Sequence, residues 1–557
     1  MSINKLILAG FLSISYFAPV RSQLQDDPIL QAIKSEVDRN KEGLHAGKLE
    51  PPFWISYRFL NASRMTVIAS EGYLIYQDIS QNNSGISDIL VGNTQLNNNN
   101  FQSYYNKKNL KVGETNLESA LKYAIWNQLD ADYKKAAEDL EKKKTQITQQ
   151  NIPQEDLKIN DWDESMPQQY YQKQDIQKID PHFWESYCRK ASLALCKDTA
   201  IIESEFKAEI IQGDYYYYST DGFMYRLPMR LIKLTGNVKC RTKDGQEMEE
   251  RYCYYFDNLN DVIPIENLCT EILQYNKLLI EESEAPIIPE AYSGPVLYEE
   301  NAVSEAVENC YINNDNGLMA KRKEISQTRN SGYSGNAENR IGQMMYKKVA
   351  DRRLDFISMT GKSRWNGQKL LGYTPIDAQG VKPDSSFVLI ENGILKNLIS
   401  NRTPTKTNPK SNGHSMFYVG SPETGLGIGV LRLKATQGIP KKTLKDSLLA
   451  AAKEEGYDFA YLYRGYAHMS GCFLYKVYAN GREEMVRNFS INDLNQKQFK
   501  YILQLGAEDY VRNTLTGENI TSLIVPYGII FKELEIIRNN NVTLNKPYIV
   551  ARPERKK

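Results

Sequence analysis

Residues 387–399, FVLIENGILKNLI, place two apolar runs on either side of an Asn-Gly pair. This pair suits the left-handed backbone positions of a tight hairpin turn, so the segment predicts two antiparallel strands. Residues 473–488, FLYKVYANGREEMVRN, repeat the arrangement. Between the two hairpins, only residues 443–455 have the apolar spacing of a helix, and a glycine follows them. We therefore predict that the C-terminal half is built mainly from antiparallel sheet.

The composition is that of an ordinary globular protein. The chain has 557 residues, of which 41% are hydrophobic and 25% charged, a size that suggests two or three packed units. Lys and Arg number 69 against 68 Asp and Glu, which leaves a net charge of +1. No overall positive field would draw the chain to nucleic acid, so we expect no nucleic-acid partner.

The first 22 residues resemble a secretory signal peptide. Lys5 precedes an apolar stretch that is shorter than a membrane span and is interrupted by serines and a proline. Cleavage near Ser22-Gln23 would release a protein without a stable membrane span. We expect export to a periplasmic or extracellular location.

The remaining patterns divide the chain into provisional units. In the first, Asp27-Pro28 predicts a capped helix start, and Thr115 with Glu118 predicts a capping box before a long helix. Strand composition occurs at residues 53–60, 65–69 and 73–76, with turns predicted between these segments, and residues 81–100 have loop composition. The predicted boundaries are a signal peptide 1–22, an N-terminal α/β domain 23–144, a linker or surface loop 145–174, a central domain 175–290, a C-terminal domain 291–540 and a charged tail 541–557.

Cysteine usage leaves two alternatives for the central domain. Residues 230–240 and 249–256 flank a Lys-Asp-Gly turn and predict a hairpin. Cys240 and Cys253, near its two ends, are the best candidates for a disulfide among seven cysteines. Buried free thiols are the alternative.

The search for catalytic motifs finds little. A helix-borne zinc site needs two histidines one turn apart, and the four histidines of this chain are all isolated. His414, His468 and Cys472 could form an interdomain metal site only if the fold brought them together. Glu299, Glu300, Glu305 and Glu308 have helical spacing and could hold a hard cation, although the pattern favours a solvent-facing helix side instead.

The C-terminal half carries a distinctive series of short motifs: Gly372-Tyr373, Ile376-Asp377, Gly380-Val381, Leu389-Ile390-Glu391-Asn392-Gly393, Arg402-Thr403-Pro404 and Ser411-Asn412-Gly413-His414. In this order and spacing, they resemble the C-terminal domain of the TldD/PmbA family, the "modulator of DNA gyrase" group related to zinc peptidases. The segment PPFWISYR at residues 51–58 extends the resemblance to the N-terminal region.

The resemblance implies an α+β fold, with a mixed N-terminal region followed by an antiparallel-sheet-rich C-terminal domain of TldD/PmbA type. It also implies dimers, some of them pairing a zinc-bearing with a zinc-lacking chain, that enclose a chamber for extended or unfolded peptides. Catalytic members carry HExxxH on a helix, and the matching positions here are Glu308, Asn309 and Asn313. All three motif residues are thus replaced. The chain resembles the zinc-less, PmbA-like branch, and we expect zinc only if atypical ligands exist.

The turn Ser411-Asn412-Gly413-His414 has two interpretations. It could border a peptide cleft, or it could be a structural turn in which Asn and Gly supply left-handed backbone. Arg402 has the same two alternatives.

Our leading hypothesis is an exported TldD/PmbA-type metallopeptidase homologue that is inactive as a zinc peptidase. It would form a homodimer, or a heterodimer with a zinc-bearing TldD-type homologue, and would help to bind unfolded or extended peptides. One alternative is an active peptidase with atypical metal ligands. Another is a stand-alone protein that binds peptides or glycans through a tyrosine-rich surface.

Overall fold

A computed structural model describes residues 20–102, 109–150, 152–312, 317–326, 340–492 and 494–545. The described α-helices are α1 Val20–Asp26, α2 Pro28–Gly43, α3 Leu117–Gln149, α4 Gln154–Leu157, α5 Pro181–Leu195, α6 Ile265–Glu284, α7 Asn301–Tyr311 and α8 Leu444–Glu454. None of them is long and apolar enough to cross a membrane. Most of the predicted signal peptide, residues 1–19, lies outside the described residues, as do residues 546–557 of the predicted tail.

The described strands of the N-terminal half are β1 Pro52–Ser70, β2 Tyr73–Val91, β3 Phe101–Gln102, β4 Leu110–Lys111, β5 Gln169–Tyr171, β6 Ile201–Ser219, β7 Met224–Arg241 and β8 Glu247–Phe256. Those of the C-terminal half are β9 Tyr292–Glu299, β10 Ile325–Ser326, β11 Leu354–Ser358, β12 Arg364–Trp365, β13 Gln368–Lys369, β14 Phe387–Glu391, β15 Ile394–Leu395, β16 Ser415–Phe417, β17 Thr424–Leu426, β18 Val430–Ala435, β19 Phe459–Gly465, β20 Cys472–Tyr478, β21 Glu483–Val486, β22 Phe489–Asn492, β23 Ile502–Leu505, β24 Asp509–Thr516, β25 Asn519–Pro526 and β26 Gly528–Arg538.

One seven-stranded sheet contains strands from both predicted N-terminal units. Its order is β4-β2-β1-β6-β7-β5, and β8 also pairs with β7. Because β1 pairs antiparallel with β6 over residues 56–69, the expected boundary between residues 144 and 175 does not separate two sheets. The long strands β6, β7 and β8 include the predicted hairpin at residues 230–256, which is confirmed.

The predictions for β1 and β2 are wrong in their details. The polar residues 61–64 continue β1 instead of forming a turn, because the strand is paired on both sides there. Gly213 on β6 permits this close pairing, since an added Cβ would lie 2.1 Å from the Asn61 carbonyl oxygen. Residues 81–91, expected in a loop, belong to β2, whose backbone is satisfied by pairing with β1 although its side chains are polar.

Helix capping was predicted correctly for one helix and wrongly for another. Asp27 caps α2, since its carboxylate accepts hydrogen bonds from the amides of Ile29 and Leu30, each at 3.1 Å. The predicted capping box of α3 does not form. Instead, Asn116 occupies the cap position in left-handed backbone without a capping hydrogen bond from its side chain.

Residues 145–174 do more than link two units. Helix α3 continues to Gln149, and its Lys143 donates a 2.5 Å hydrogen bond to Asp161, with both side chains buried. Arg322 from the C-terminal half donates to the same carboxylate at 2.9 Å. A buried cation-carboxylate-cation group therefore joins this segment to both halves of the chain.

The C-terminal half is rich in sheet, as the hairpin patterns predicted, and its strands form two main sheets that each include one parallel pair. One has the order β15-β14-β11-β18-β25-β24, and the other β21-β20-β19-β9-β26-β22, with β23 also paired to β26. Helix α7 contributes Val303, Ala306 and Val307 to the core that these sheets share. A second core joins helices α5 and α6 to the β19-containing sheet, so the predicted boundary at residues 290 and 291 lies within shared packing.

All seven cysteines are free thiols. Cys240 is cross-strand from Met248 and Cys253 from Thr235, so the two residues are not neighbours in the hairpin. The disulfide alternative is therefore wrong for this pair. The tyrosine run at residues 215–218 is buried and does not supply a tyrosine-rich surface.

Candidate functional site

Helix α7 begins at the end of a buried strand. Strand β9 leads through Glu300, which has a φ of +55°, directly into Asn301 at the first helical position. The Asn301 side chain donates hydrogen bonds to the carbonyl groups of Tyr466 and Met469, and it accepts one from the Tyr510 hydroxyl at 2.8 Å. This amide therefore joins the start of α7 to the loop after β19 and to strand β24.

A cavity of about 340 Å³ lies beside α7. We call it the α7 cleft, and the residues that define it are Arg251, Tyr255, Glu308, His468, Tyr510 and Arg512. They come from β8, α7, the loop at 466–471 and β24. The cleft thus lies where the N-terminal sheet meets the C-terminal half.

Two strand edges border the α7 cleft. Strand β24 is the outermost strand of its sheet, and β8 pairs with β7 alone among the described strands. The loop covers part of the β8 edge, because the Cys253 amide donates to the His468 carbonyl at 2.7 Å. Edge strands carry backbone donors and acceptors that can pair with an added extended chain.

The carboxylate of Glu250 holds this loop in place. It accepts hydrogen bonds from the Ser470 amide at 3.1 Å, the Ser470 hydroxyl at 2.7 Å and the Gly471 amide at 2.9 Å. Glu250 is itself buried. The loop wall of the cleft is therefore anchored to β8 by one residue.

Of the three positions matched to the zinc motif, Glu308 alone lines the α7 cleft. One of its carboxylate oxygens lies 3.9 Å from Nη1 of Arg512 on β24, and both side chains are largely buried. Asn309 lies on an exposed part of α7. Asn313 lies outside the described residues.

The other acidic residues of the predicted cluster do not converge. Glu299 forms an ion pair with Arg464 at 2.9 Å, and Glu300 accepts a hydrogen bond from the Tyr527 hydroxyl at 3.0 Å. Glu305 accepts one from the Cys472 thiol at 3.2 Å, and burial raises the pKa of Glu305. The hard-cation hypothesis for this cluster is therefore wrong.

The second candidate metal group also fails to form. His468 stacks on Tyr254 with ring centroids 4.2 Å apart, and its Nδ1 lies 3.3 Å from the Cys253 carbonyl oxygen. Burial lowers the pKa of His468. The Cys472 thiol donates a hydrogen bond to Glu305. His414 lies in a separate buried site. Across the described parts of the chain, no group of three or more His, Cys, Asp or Glu residues is placed to hold a metal ion.

His414 is a buried structural residue. Its Nε2 lies 2.7 Å from the Ser358 hydroxyl, and its Nδ1 lies 2.9 Å from the carbonyl oxygen of Asn412. Burial lowers the pKa of His414 to about 4. Ser358 and His414 are both no more than 1% exposed to solvent. This Ser-His contact therefore offers no reactive group to a substrate.

Arg402 and the turn at 411–414 form a buried junction and do not line the α7 cleft. The Arg402 guanidinium donates to the Asp163 carbonyl at 2.8 Å and to Asp221 at 2.6 Å, and it lies 4.7 Å from the Trp162 ring centroid. The Asp163 carboxylate accepts from the Ser411 amide at 2.9 Å. These contacts are structural ones, and the interpretation that these residues border a peptide cleft stays a prediction.

Comparison with known proteins identifies the C-terminal half. Residues 338–538 match the family model described as the PmbA/TldA metallopeptidase C-terminal domain. This part of the chain, residues 338–538, is therefore similar to the C-terminal domain of the TldD/PmbA family. The matched region includes β24 and Arg512 but begins after α7, so the assignment of the zinc motif to Glu308 rests on the resemblance of the sequence. No curated protein is significantly similar to the chain in sequence.

Three solved structures share the TldD/PmbA fold. TldE from Thermococcus kodakarensis is 11% identical, with a TM-score of 0.53 over 91% of this chain and 100% of that one. A candidate modulator of a DNA gyrase from Thermotoga maritima is 12% identical, with a TM-score of 0.55 over 91% and 99%. Another from Bacteroides thetaiotaomicron has the same identity and TM-score over 91% and 98%. At these identities, the likeness concerns the fold, which confirms the predicted α+β class.

The residues at the α7 cleft do not fit a zinc ion of the kind that TldD/PmbA peptidases imply. Zinc in proteins is held by three or four His, Cys or carboxylate ligands at about 2.0–2.3 Å. At the matched position, Glu308 faces the permanently charged guanidinium of Arg512, which disfavours a nearby cation. His468 is the one histidine in the cleft lining, and it is engaged with β8.

Sequence analysis did not identify Arg512, Tyr510 or Arg251 as site residues. Arg512 lies some two hundred positions after α7 in an ordinary strand pattern, and nothing in its local sequence marks it. The motif positions on α7 were the available signal, and they led to Glu308 alone.

Proposed function

We propose that this chain is a non-catalytic TldD/PmbA subunit that binds extended peptides along the α7 cleft. The observation that carries the proposal is the ion pair of Glu308 with Arg512, which occupies the position of the first zinc ligand in the family resemblance. A metal-activated water is the attacking group in a zinc peptidase. Glu308 and Arg512 supply a fixed pair of charges instead.

The peptide part of the proposal rests on the edges of β24 and β8. An extended peptide can add to such an edge through main-chain hydrogen bonds that do not depend on its sequence. The gap between the two edges is walled by the anchored loop at 466–471, so a bound segment would be partly enclosed. Main-chain pairing in this gap suits unfolded chains better than folded ones.

We further propose that the protein is exported by its N-terminal segment and that it assembles with itself or with a zinc-bearing homologue. The TldE relative and the family resemblance support a subunit role. The apolar stretch of the first 22 residues supports export.

The proposal is tested with purified mature protein and unfolded β-casein. Peptide release is followed by mass spectrometry, with and without added zinc and with and without a chelator, and binding is followed by fluorescence anisotropy of labelled casein fragments. We expect binding without cleavage in every condition. Chelator-sensitive cleavage by this protein alone would overturn the non-catalytic assignment, and absence of binding would overturn the peptide-binding one.

The subunit role needs a separate experiment. Mixing the protein with a zinc-bearing TldD homologue from the same organism should change the mass measured by light scattering, or the protein should form a homodimer by itself. If the protein is a monomer and does not bind the homologue at micromolar concentration, the partner proposal is contradicted.

A further inference from the structure

Among the described residues, the charged side chains that line the α7 cleft are two arginines and one glutamate. Arg251 and Arg512 are permanently charged, whereas Glu308 supplies one negative charge. His468 is neutral at pH 7, because burial lowers its pKa. The described residues of the lining therefore carry a net positive charge. The net charge of the whole chain is close to zero.

The other acids near the cleft are bonded elsewhere. The Glu250 carboxylate is held by the amides of Ser470 and Gly471, and Glu305 accepts a hydrogen bond from the Cys472 thiol. Neither carboxylate lines the cavity. Neither of these two carboxylates accepts a hydrogen bond from the guanidinium group of Arg251 or Arg512.

The arginines retain hydrogen-bonding capacity for a ligand. A guanidinium has five N–H donors in a planar fork, which matches the two oxygens of a carboxylate. At 3.9 Å, the contact of Arg512 with Glu308 is longer than a hydrogen bond. Arg251 uses its Nε toward Asn237 at 3.0 Å and is otherwise exposed.

We infer that the α7 cleft selects extended peptides that present a carboxylate to Arg512 and Arg251. The carboxylate is either an acidic side chain or the free C-terminus of the peptide. This inference rests on the proposed peptide-binding function and names its substrate class. A peptide paired with the edge of β24 would pass the strand that carries Arg512, and its carboxylate would bind where Glu308 now makes its long ion pair.

The test uses four fluorescein-labelled octapeptides of valine, threonine and serine. Each carries a central glutamate or glutamine and ends in a free acid or an amide, and anisotropy titrations give the four dissociation constants. We expect the peptide with a central glutamine and an amidated C-terminus to bind most weakly. Its dissociation constant should be about tenfold or more above that of the tightest-binding peptide that carries a carboxylate. The four peptides also distinguish a side-chain carboxylate from a terminal one.

The variant Arg512→Gln should remove the preference for carboxylate-bearing peptides. The peptide with a central glutamine and an amidated C-terminus should bind with unchanged affinity. Arg482→Gln is the matched control, because Arg482 is an exposed hairpin arginine outside the cleft. If Arg512→Gln fails to fold, as shown by its thermal transition, Arg251→Gln supplies the same comparison at an exposed site and should weaken the preference.

The outcomes separate this inference from the proposed function. Equal affinities for all four peptides, or a preference that survives in both cleft variants, would overturn the carboxylate inference and leave peptide binding intact. Failure of all four peptides and of the casein fragments to bind would overturn both.

Discussion

The buried His414 should make the stability of the protein fall in mild acid. Its pKa is about 4 in the folded protein and 6.5 in a model peptide, a difference that corresponds to about 3 kcal/mol. Above pH 6.5, the ring is neutral in both states and the full stability is present. Between pH 6.5 and about 4, the unfolded chain takes up a proton that the folded protein excludes, so this contribution is lost as the pH falls.

Asp377 opposes this effect and determines the design of the experiment. Burial raises its pKa to about 6, so its contribution to stability is present below the ordinary value of 3.8 and is lost as the pH rises through about 6. The two dependences partly cancel in the wild-type protein. The informative quantity is therefore the difference in unfolding free energy between the wild type and His414→Gln.

Urea unfolding at pH 4.5, 5.5, 6.5 and 7.5 measures this difference. Tryptophan fluorescence is a suitable probe, since Trp54 and Trp162 pack together beside the Arg402 junction with ring centroids 4.6 Å apart. We expect the wild type to lose about 2–3 kcal/mol relative to His414→Gln between pH 6.5 and 4.5. Parallel pH profiles of the two proteins would refute the assignment of His414 as a buried neutral residue.

Three further predictions follow from named contacts. Glu250→Ala should lower the unfolding free energy by about 3 kcal/mol, because the amides of Ser470 and Gly471 lose their acceptor. Glu250→Gln keeps an acceptor oxygen and should lower the unfolding free energy by less. Equal losses for the two variants in urea unfolding would contradict the role of Glu250 as the anchor of the loop. Gly213→Ala should destabilise the protein by about 1–3 kcal/mol, because the added Cβ meets the β1 backbone, and an unchanged urea midpoint would contradict that pairing. Denatured, non-reduced protein should take up seven alkyl groups by mass spectrometry, and uptake of five would indicate a disulfide and contradict the assignment of seven free thiols.

The features that the sequence predicted well depend on neighbouring residues. Asp27-Pro28 starts α2, and the Asn-Gly pair at 392–393 joins β14 to β15, because caps and tight turns are determined by a few adjacent side chains. Residues 61–64 were misassigned for the opposite reason. Their polar composition is typical of a turn, but pairing with strands from elsewhere in the chain keeps them extended.

The candidate site shows the same difference between features set by neighbouring residues and features set by contacts between distant parts of the chain. Glu308 could be located from the motif alignment on α7, whereas its partner Arg512 is brought to it by the packing of β24 against the helix. Arg402 was named from the motif Arg402-Thr403-Pro404 as a cleft or turn residue, whereas its contact with the segment at 161–163 joins residues more than two hundred positions apart. Such contacts leave no periodic or local signal in one sequence.

Zinc titration by calorimetry tests the central claim most directly. The claim is that the Glu308-Arg512 pair replaces a metal at the α7 cleft. We predict no heat of binding at the cleft with zinc at micromolar concentration, and the same titration curve for wild type and Glu308→Gln. One-to-one binding with a dissociation constant below 1 µM that disappears in Glu308→Gln would contradict the account.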